Sequence, residues 1–109
     1  MDFMKKEKSS FNEQCYTLLR KVPEGKVTTY KALAEALNCK AYRAVGNAMH
    51  KNPYAPRVPC HRVIKSNGEI GGFASGIKKK IEMLKAEGII LDSNNKIDLS
   101  RYLYKFRLQ

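Results

Sequence analysis

The sequence predicts a mostly α-helical single domain with a short β-hairpin, a winged helix-turn-helix. Three observations carry that prediction. Two short apolar stripes at helical spacing, centred on Leu33 and Val45, are separated by a very short turn, as in a helix-turn-helix. Pro53, Pro56 and Pro59 then force an extended stretch, and Asn67-Gly68 between two short runs signals a hairpin or wing. Finally, 109 residues hold one modest core and are too few for two.

Taken in order, residues 1–9 are polar and lysine-rich and read as a basic flexible arm. A first helix starts at Ser10, because Phe11, Cys15, Leu18 and Leu19 share one face and Ser10 with Glu13 fits a capping box. Pro23 and Gly25 end it. Thr28 or Thr29 caps a second helix, with Tyr30, Leu33, Ala34 and Leu37 on one stripe that stops near Asn38. In the third, Ala41, Ala44, Val45, Ala48 and Met49 form the face expected inside, with Arg43, Asn47 and Lys51 opposite. The hairpin is expected from His61-Arg62-Val63-Ile64 to Glu69-Ile70, followed by a flexible loop with Gly71, Gly72 and Gly76. A fourth helix is expected over 77–87, with Ile77, Ile81 and Leu84 inward and Gly88 as its stop. Leu99, Tyr102, Leu103 and Phe106 suggest a last short helix near the C-terminus.

Lys and Arg number 21 against 10 Asp and Glu, a formal charge of +11 that favours polyanionic partners. Nucleic acid and an anionic membrane both satisfy that charge. No apolar run approaches the roughly 20 residues of a spanning helix, and MDFMKKEKSS is no secretory signal, so a soluble, cytoplasmic protein is expected. Cys15, Cys39 and Cys60 show no paired spacing, which leaves at least one free thiol. Adjacent Cys60 and His61 are poorly placed to ligate one tetrahedral zinc, and His50 lacks a partner at ligand spacing; no metal is expected. The glycines at 68, 71 and 72 do not follow a strand and open a helix as a phosphate loop requires. Lys78-Lys79-Lys80 reads as a solvated face or a phosphate contact.

Residues 59–63, Pro-Cys-His-Arg-Val, resemble the active-site motif of the O6-alkylguanine-DNA alkyltransferases, the methylated-DNA-protein-cysteine methyltransferases. Val27-Thr28-Thr29-Tyr30, Arg43-Ala44-Val45-Gly46 with Ala48-Met49, Asn52-Pro53 and Glu87-Gly88 follow the same family's order and approximate spacing. The resemblance covers residues 10–92, the family's catalytic DNA-binding domain, without its amino-terminal domain; 93–109 is expected to pack on the same domain as an extension.

The resemblance implies a single-turnover, cofactor-free transfer of an alkyl group from O6 of guanine in duplex DNA to Cys60, by a protein acting as a monomer. It implies a relay in which Glu87 orients His61, and His61 draws the proton from Cys60 through a water held with help from Asn52. A thiol attacks as its thiolate, so an activating partner is needed near neutral pH, and His is the residue that exchanges a proton there. Tyr30 is implied as the donor to the leaving guanine, though it also lies on a core stripe. Reaching the lesion requires base flipping, for which Arg43 is implied as the residue filling the gap; a plain phosphate contact is its simpler use.

The resemblance further places Thr29, Ala41, Ala44, Gly46 and Asn47 at the DNA, with the third helix in the minor groove, although small residues also permit tight packing. Val63, Phe73, Ala74 and Ser75 are implied around the substrate. Phe73-Ala74 departs from the tyrosine-serine of many relatives, and Tyr42 and Asn47 are larger than some carry, so an altered substrate range or rate is expected. Three rivals stand beside it: a lesion sensor like the alkyltransferase-like proteins, which typically lack the cysteine, a helix-turn-helix regulator reading sequence in the major groove, and a basic structural nucleic-acid protein, which accounts for the charge alone.

Overall fold

A computed structural model describes residues 10–106; the basic arm expected at 1–9 lies outside the described residues. The described residues form five α-helices and one minimal sheet: α1 Phe11–Leu19, β1 Thr28–Thr29, α2 Tyr30–Ala36, α3 Tyr42–His50, β2 Val63–Ile64, α4 Ile77–Ala86 and α5 Leu99–Tyr102, with a 3-10 turn over Cys60–Arg62. The architecture is mostly helical, with α2 and α3 as the helix-turn-helix pair.

Each helix starts where its sequence supplies an acceptor or a turn. Ser10 Oγ accepts the Glu13 N–H at 3.1 Å, half of a capping box, while the Glu13 carboxylate accepts the Tyr54 hydroxyl at 2.9 Å instead of reaching back. Thr29 is the cap of α2, its Oγ1 accepting the Ala32 N–H at 2.9 Å. Thr28 is fully buried, and its hydroxyl has no hydrogen-bond partner among the described residues. Asn38, at φ 59°, turns the chain out of α2.

The sheet differs from the expected hairpin. β2 pairs in parallel with β1, Thr28 opposite Val63 and Thr29 opposite Ile64. The wing is reduced to a turn in which the Lys65 N–H bonds the Glu69 carbonyl and the Gly68 N–H bonds Lys65. Gly68 is required there: its φ is 90°, and a Cβ would lie 2.7 Å from the Ile97 carbonyl oxygen. His61 and Arg62 belong to the 3-10 turn and not to a strand, because Pro59 closes that turn by accepting the Arg62 N–H at 2.9 Å.

Successive strand residues point to opposite faces, so the two-residue strand separates two cores. Val63 joins Cys15, Tyr16, Leu19, Leu33, Val45 and Ala48, whereas Ile64 joins Val27, Ile70, Leu84, Ile89, Ile97 and Tyr102. The C-terminal segment completes the second core, since Val27 donates to Tyr102 at 2.9 Å and accepts from Tyr104 at 2.8 Å.

Two inward assignments are overturned. Ile77 is 54% exposed, because the inward position in that part of α4 belongs to Lys80, which is fully buried. Lys80 Nζ donates to the carbonyls of Val63 at 2.7 Å, Ile70 at 2.6 Å and Gly72 at 3.0 Å, acceptors that an isoleucine cannot satisfy. Ala41 precedes the first turn of α3 and is exposed, and Ala44 is only half-buried, so the inner face of α3 is Val45, Ala48 and Met49.

Tyr102 is 7% exposed and its hydroxyl accepts the Ile90 N–H at 3.1 Å. Urea denaturation of Tyr102→Ala should show a loss of about 3 kcal/mol or more, against about 1 kcal/mol for Tyr102→Phe. A loss below about 0.5 kcal/mol for the alanine variant would contradict a structural role for this segment.

Candidate functional site

Cys60 opens the 3-10 turn, 8% exposed, with its N–H bonded to the Val58 carbonyl at 2.9 Å. That same carbonyl accepts Asn52 Nδ2 at 2.7 Å, and Asn52 Oδ1 accepts the Tyr54 N–H at 2.9 Å. Asn52 therefore fixes the proline-rich loop that presents Cys60, with both ends of its amide bonded to backbone. Above the thiol lies a cavity of about 320 Å³ lined by Tyr30, Gly46, Met49, His50, Cys60, Gly72, Phe73 and Ala74. Its size falls at the lower end of small-molecule sites.

Behind Cys60, His61 is 3% exposed and its Nε2 lies 2.7 Å from Glu87 Oε2. Glu87 follows α4 directly, which places its carboxylate at the end of the helix, against the macrodipole. Four donors offset that. Besides His61, Arg62 Nε and Nη2 hold Glu87 in a fork at 2.9 and 2.7 Å, and the Gly25 N–H reaches Oε1 at 3.3 Å. Arg62 Nη1 also bonds the Val22 carbonyl at 2.9 Å. Burial pushes the Glu87 carboxyl up, and the bonds from Arg62 and His61 outweigh it, holding the group below its usual range.

Burial pushes His61 the other way, below 6.5, and the bond to Glu87 only partly opposes it. The imidazole is therefore neutral at pH 7. A carboxylate on Nε2 selects the tautomer with hydrogen on that nitrogen, which leaves Nδ1, unbonded among the described residues, as the basic atom. Tyr30 is half-buried and its hydroxyl is held protonated at neutral pH, by burial first and then by nearby Cys60. Gly71 packs against it: with φ 75°, a Cβ there would meet the Tyr30 hydroxyl at 3.2 Å.

Lys80 ties the cysteine segment to the opposite wall, because Val63 follows the 3-10 turn while Gly72 lines the cavity. Burial pushes its ammonium down to about 8, with Cys60 acting in the opposite direction. It remains charged at pH 7, the form whose three N–H groups match three carbonyls. Cys15 is an inert contrast, a thiol pushed up to about 11 by burial and then by Cys39.

Of the residues anticipated from sequence, the fold brings together Cys60, His61 and Glu87, and it places Tyr30, Gly46, Phe73 and Ala74 around the cavity. Arg43 and Asn47 are exposed on α3, beside exposed Ala41 and half-buried Ala44. A Cβ at Gly46 would meet nothing within 4 Å, so internal packing does not demand glycine there. Thr29 is 5% exposed, its hydroxyl occupied by the α2 cap. Val63 is fully buried and its carbonyl accepts Lys80; neither it nor Ser75 lines the cavity. Arg62, Lys80, Met49 and His50 escaped sequence reasoning as site residues, although Arg62 lies inside the motif that flagged the site. Among the described residues, no group of three or more His, Cys, Asp and Glu could hold a metal, and no helix is long and apolar enough to cross a membrane.

Residues 10–89 match the profile of the 6-O-methylguanine DNA methyltransferase, DNA binding domain. The chain belongs to this family. A methylated-DNA-protein-cysteine methyltransferase of Methanosarcina acetivorans is 45% identical over 83 residues, 75% of this chain and 53% of that protein. A bifunctional methyltransferase/endonuclease of Picrophilus torridus is 46% identical over 82% of this chain and 30% of its own length. The crystal structure of the O6-methylguanine-DNA methyltransferase of Pyrococcus kodakaraensis superimposes with a TM-score of 0.68 at 45% identity, covering 74% of this chain and 47% of that one. S. pombe Atl1, solved in complex with damaged DNA containing O6-carboxymethylguanine, gives a TM-score of 0.76 at 31% identity, covering 88% of this chain and 95% of that one. The chain thus spans about half the length of the Methanosarcina and Pyrococcus methyltransferases, less of the bifunctional protein, and nearly all of Atl1.

Because the folded protein holds His61 neutral where an unfolded chain would protonate it, the unfolded state binds more protons below 6.5. Denaturation midpoints should therefore fall as pH drops from 7 towards 5, and His61→Asn should flatten that slope; equal slopes would contradict a depressed His61. Lys80→Met should lower stability by about 3 kcal/mol or more in the same assay, since buried carbonyls lose their donor.

Proposed function

We propose that the chain accepts an alkyl group from O6 of a guanine extruded from duplex DNA, irreversibly and once per molecule, onto Cys60. The observation that carries this reading is the placement of the Cys60 thiol at the cavity, backed by a neutral His61 whose Nε2 is fixed by Glu87. His61 Nδ1 takes the Cys60 proton through an intervening water, and Glu87 stabilises the imidazolium that forms. Cys60 Sγ attacks the alkyl carbon, the carbon–O6 bond breaks, and its electron pair goes to the guanine. The protonated Tyr30 hydroxyl donates to the departing base, lowering the barrier to its release as an anion. The product is a thioether, which no group in the site can reverse.

Asn52 serves by fixing the loop that presents the thiol. Arg43, exposed on α3, fills the gap left in the base stack, while Ala41, Ala44 and Gly46 allow close approach to the minor groove and exposed Asn47 contacts it. Phe73 and Ala74 give the alkyl group an apolar wall. The arrangement calls on no cofactor, and 10–92 with its 93–109 extension is the unit that performs the transfer.

A second reading, lesion binding without transfer, draws on the likeness to Atl1 over nearly the whole of both chains. Intact mass after incubation with excess duplex containing O6-methylguanine separates the two. The transfer reading expects a single gain of one methylene, located at Cys60 and absent in Cys60→Ser, with Glu87→Gln slowing it by about a hundredfold. Unchanged mass with lesion-selective binding retained would replace it with the binding reading.

A further inference from the structure

The Cys60 cavity does not end at its own rim. Tyr30 and Gly46 line it, and the same two residues line a broad open groove that continues over Lys40, Ala41, Tyr42 and Arg43. Whatever enters the cavity therefore has its nearest neighbours lying along that groove. If the cavity receives an extruded nucleotide, as proposed above, the groove receives the duplex immediately flanking it.

Tyr42, with Lys40 beside it, is left without a task in this groove by the proposed chemistry. It is 42% exposed at the first position of α3 and contributes to neither hydrophobic core. Internal packing therefore does not account for an aromatic ring at this position. With Lys40 it also lines a second open groove, beside Glu35, Asn38 and Cys39, so the ring stands between two shallow channels with a cation next to it. An aromatic face beside an exposed lysine and Arg43, on a chain of charge +11, suits a nucleic acid: a flat surface for a base, cations for phosphates.

We infer that Tyr42 stacks on a base of the duplex flanking the extruded nucleotide, with Lys40 on the adjacent phosphate, and so sets affinity for the damaged site independently of alkyl transfer. Arg43 enters the vacated stack, and Tyr42 covers the face of the neighbouring base that Arg43 leaves open. The chemistry of the stacking requires the ring and not its hydroxyl.

The experiment compares the parent chain with Tyr42→Ala, Tyr42→Phe and Lys40→Gln. Each is titrated by fluorescence anisotropy into a labelled duplex carrying O6-methylguanine, and each is incubated with free O6-benzylguanine base and weighed intact. Tyr42→Ala should bind the lesion duplex about tenfold more weakly, the loss of one stacked base, while Tyr42→Phe binds as the parent does. Lys40→Gln should reduce the slope of log affinity against log salt by about one. Alkyl uptake from the free base should be the same in all four, since it needs no flanking DNA. Affinity of Tyr42→Ala within twofold of the parent overturns the inference, and so does an equal loss in Tyr42→Phe. A loss of free-base uptake in Tyr42→Ala also overturns it, by showing that the ring acts through the Tyr30 wall of the cavity. A parent chain that takes no alkyl group from either the free base or the methylated duplex refutes the transfer mechanism alone, and the affinity comparison still decides Tyr42.

Discussion

A carboxylate removed from water must be met by donors, and Glu87 is met by donors from two other parts of the chain. Gly25 comes from the turn after α1, His61 and Arg62 from the 3-10 turn, and Glu87 itself from the end of α4. Removing any partner would leave buried charge incompletely compensated, which is far costlier than losing a surface ion pair. The contact thus holds the cysteine segment, the helix-turn-helix side and α4 in one arrangement, and it sets the histidine tautomer in the same stroke. Structure and chemistry meet at one side chain.

The Arg62 fork has a second effect on that side chain. It competes with His61 for the same carboxylate, and Oε2 accepts from both residues. A carboxylate shared with a permanent cation raises the basicity of a histidine less than an undivided one, and burial then prevails. The neutral imidazole is a consequence of burial first, with the Arg62 cation adding to it, and not of a missing partner. A residue that reads as structural in the motif therefore influences the proton balance of its neighbour.

Much of this was legible in the sequence where the signal is local. Ser10, Thr29 and the spacing of Leu33, Val45 and Ala48 placed α1 to α3, because caps and helical periodicity act over a few residues. The parallel pairing of Thr28–Thr29 with Val63–Ile64 was not legible, since two residues carry no period and their partners lie far apart in sequence. Lys80 sat in a run of three lysines and looked like its solvated neighbours; only the convergence of three distant carbonyls distinguishes it. The site itself was reached through the Pro-Cys-His-Arg-Val resemblance. Spacing alone could not bring Glu87 to His61, and the fold does so through the turn and helix that Lys80 joins.

Lys80 also bears on what this position tolerates. Three carbonyls converge on one nitrogen, and an ammonium on a flexible stem offers three donors from a single point, each free to rotate into place. A guanidinium is planar, bulkier, and spreads its donors along a fork, so it cannot aim three of them at one centre; a hydroxyl or amide is too short or has too few. The start of β2 and the segment from Ile70 to Gly72 are therefore joined by a side chain that no other encoded residue replaces. In a library randomised at this codon and selected for folded protein, the surviving diversity should collapse to lysine, while Lys78 and Lys79 on the outer face drift freely.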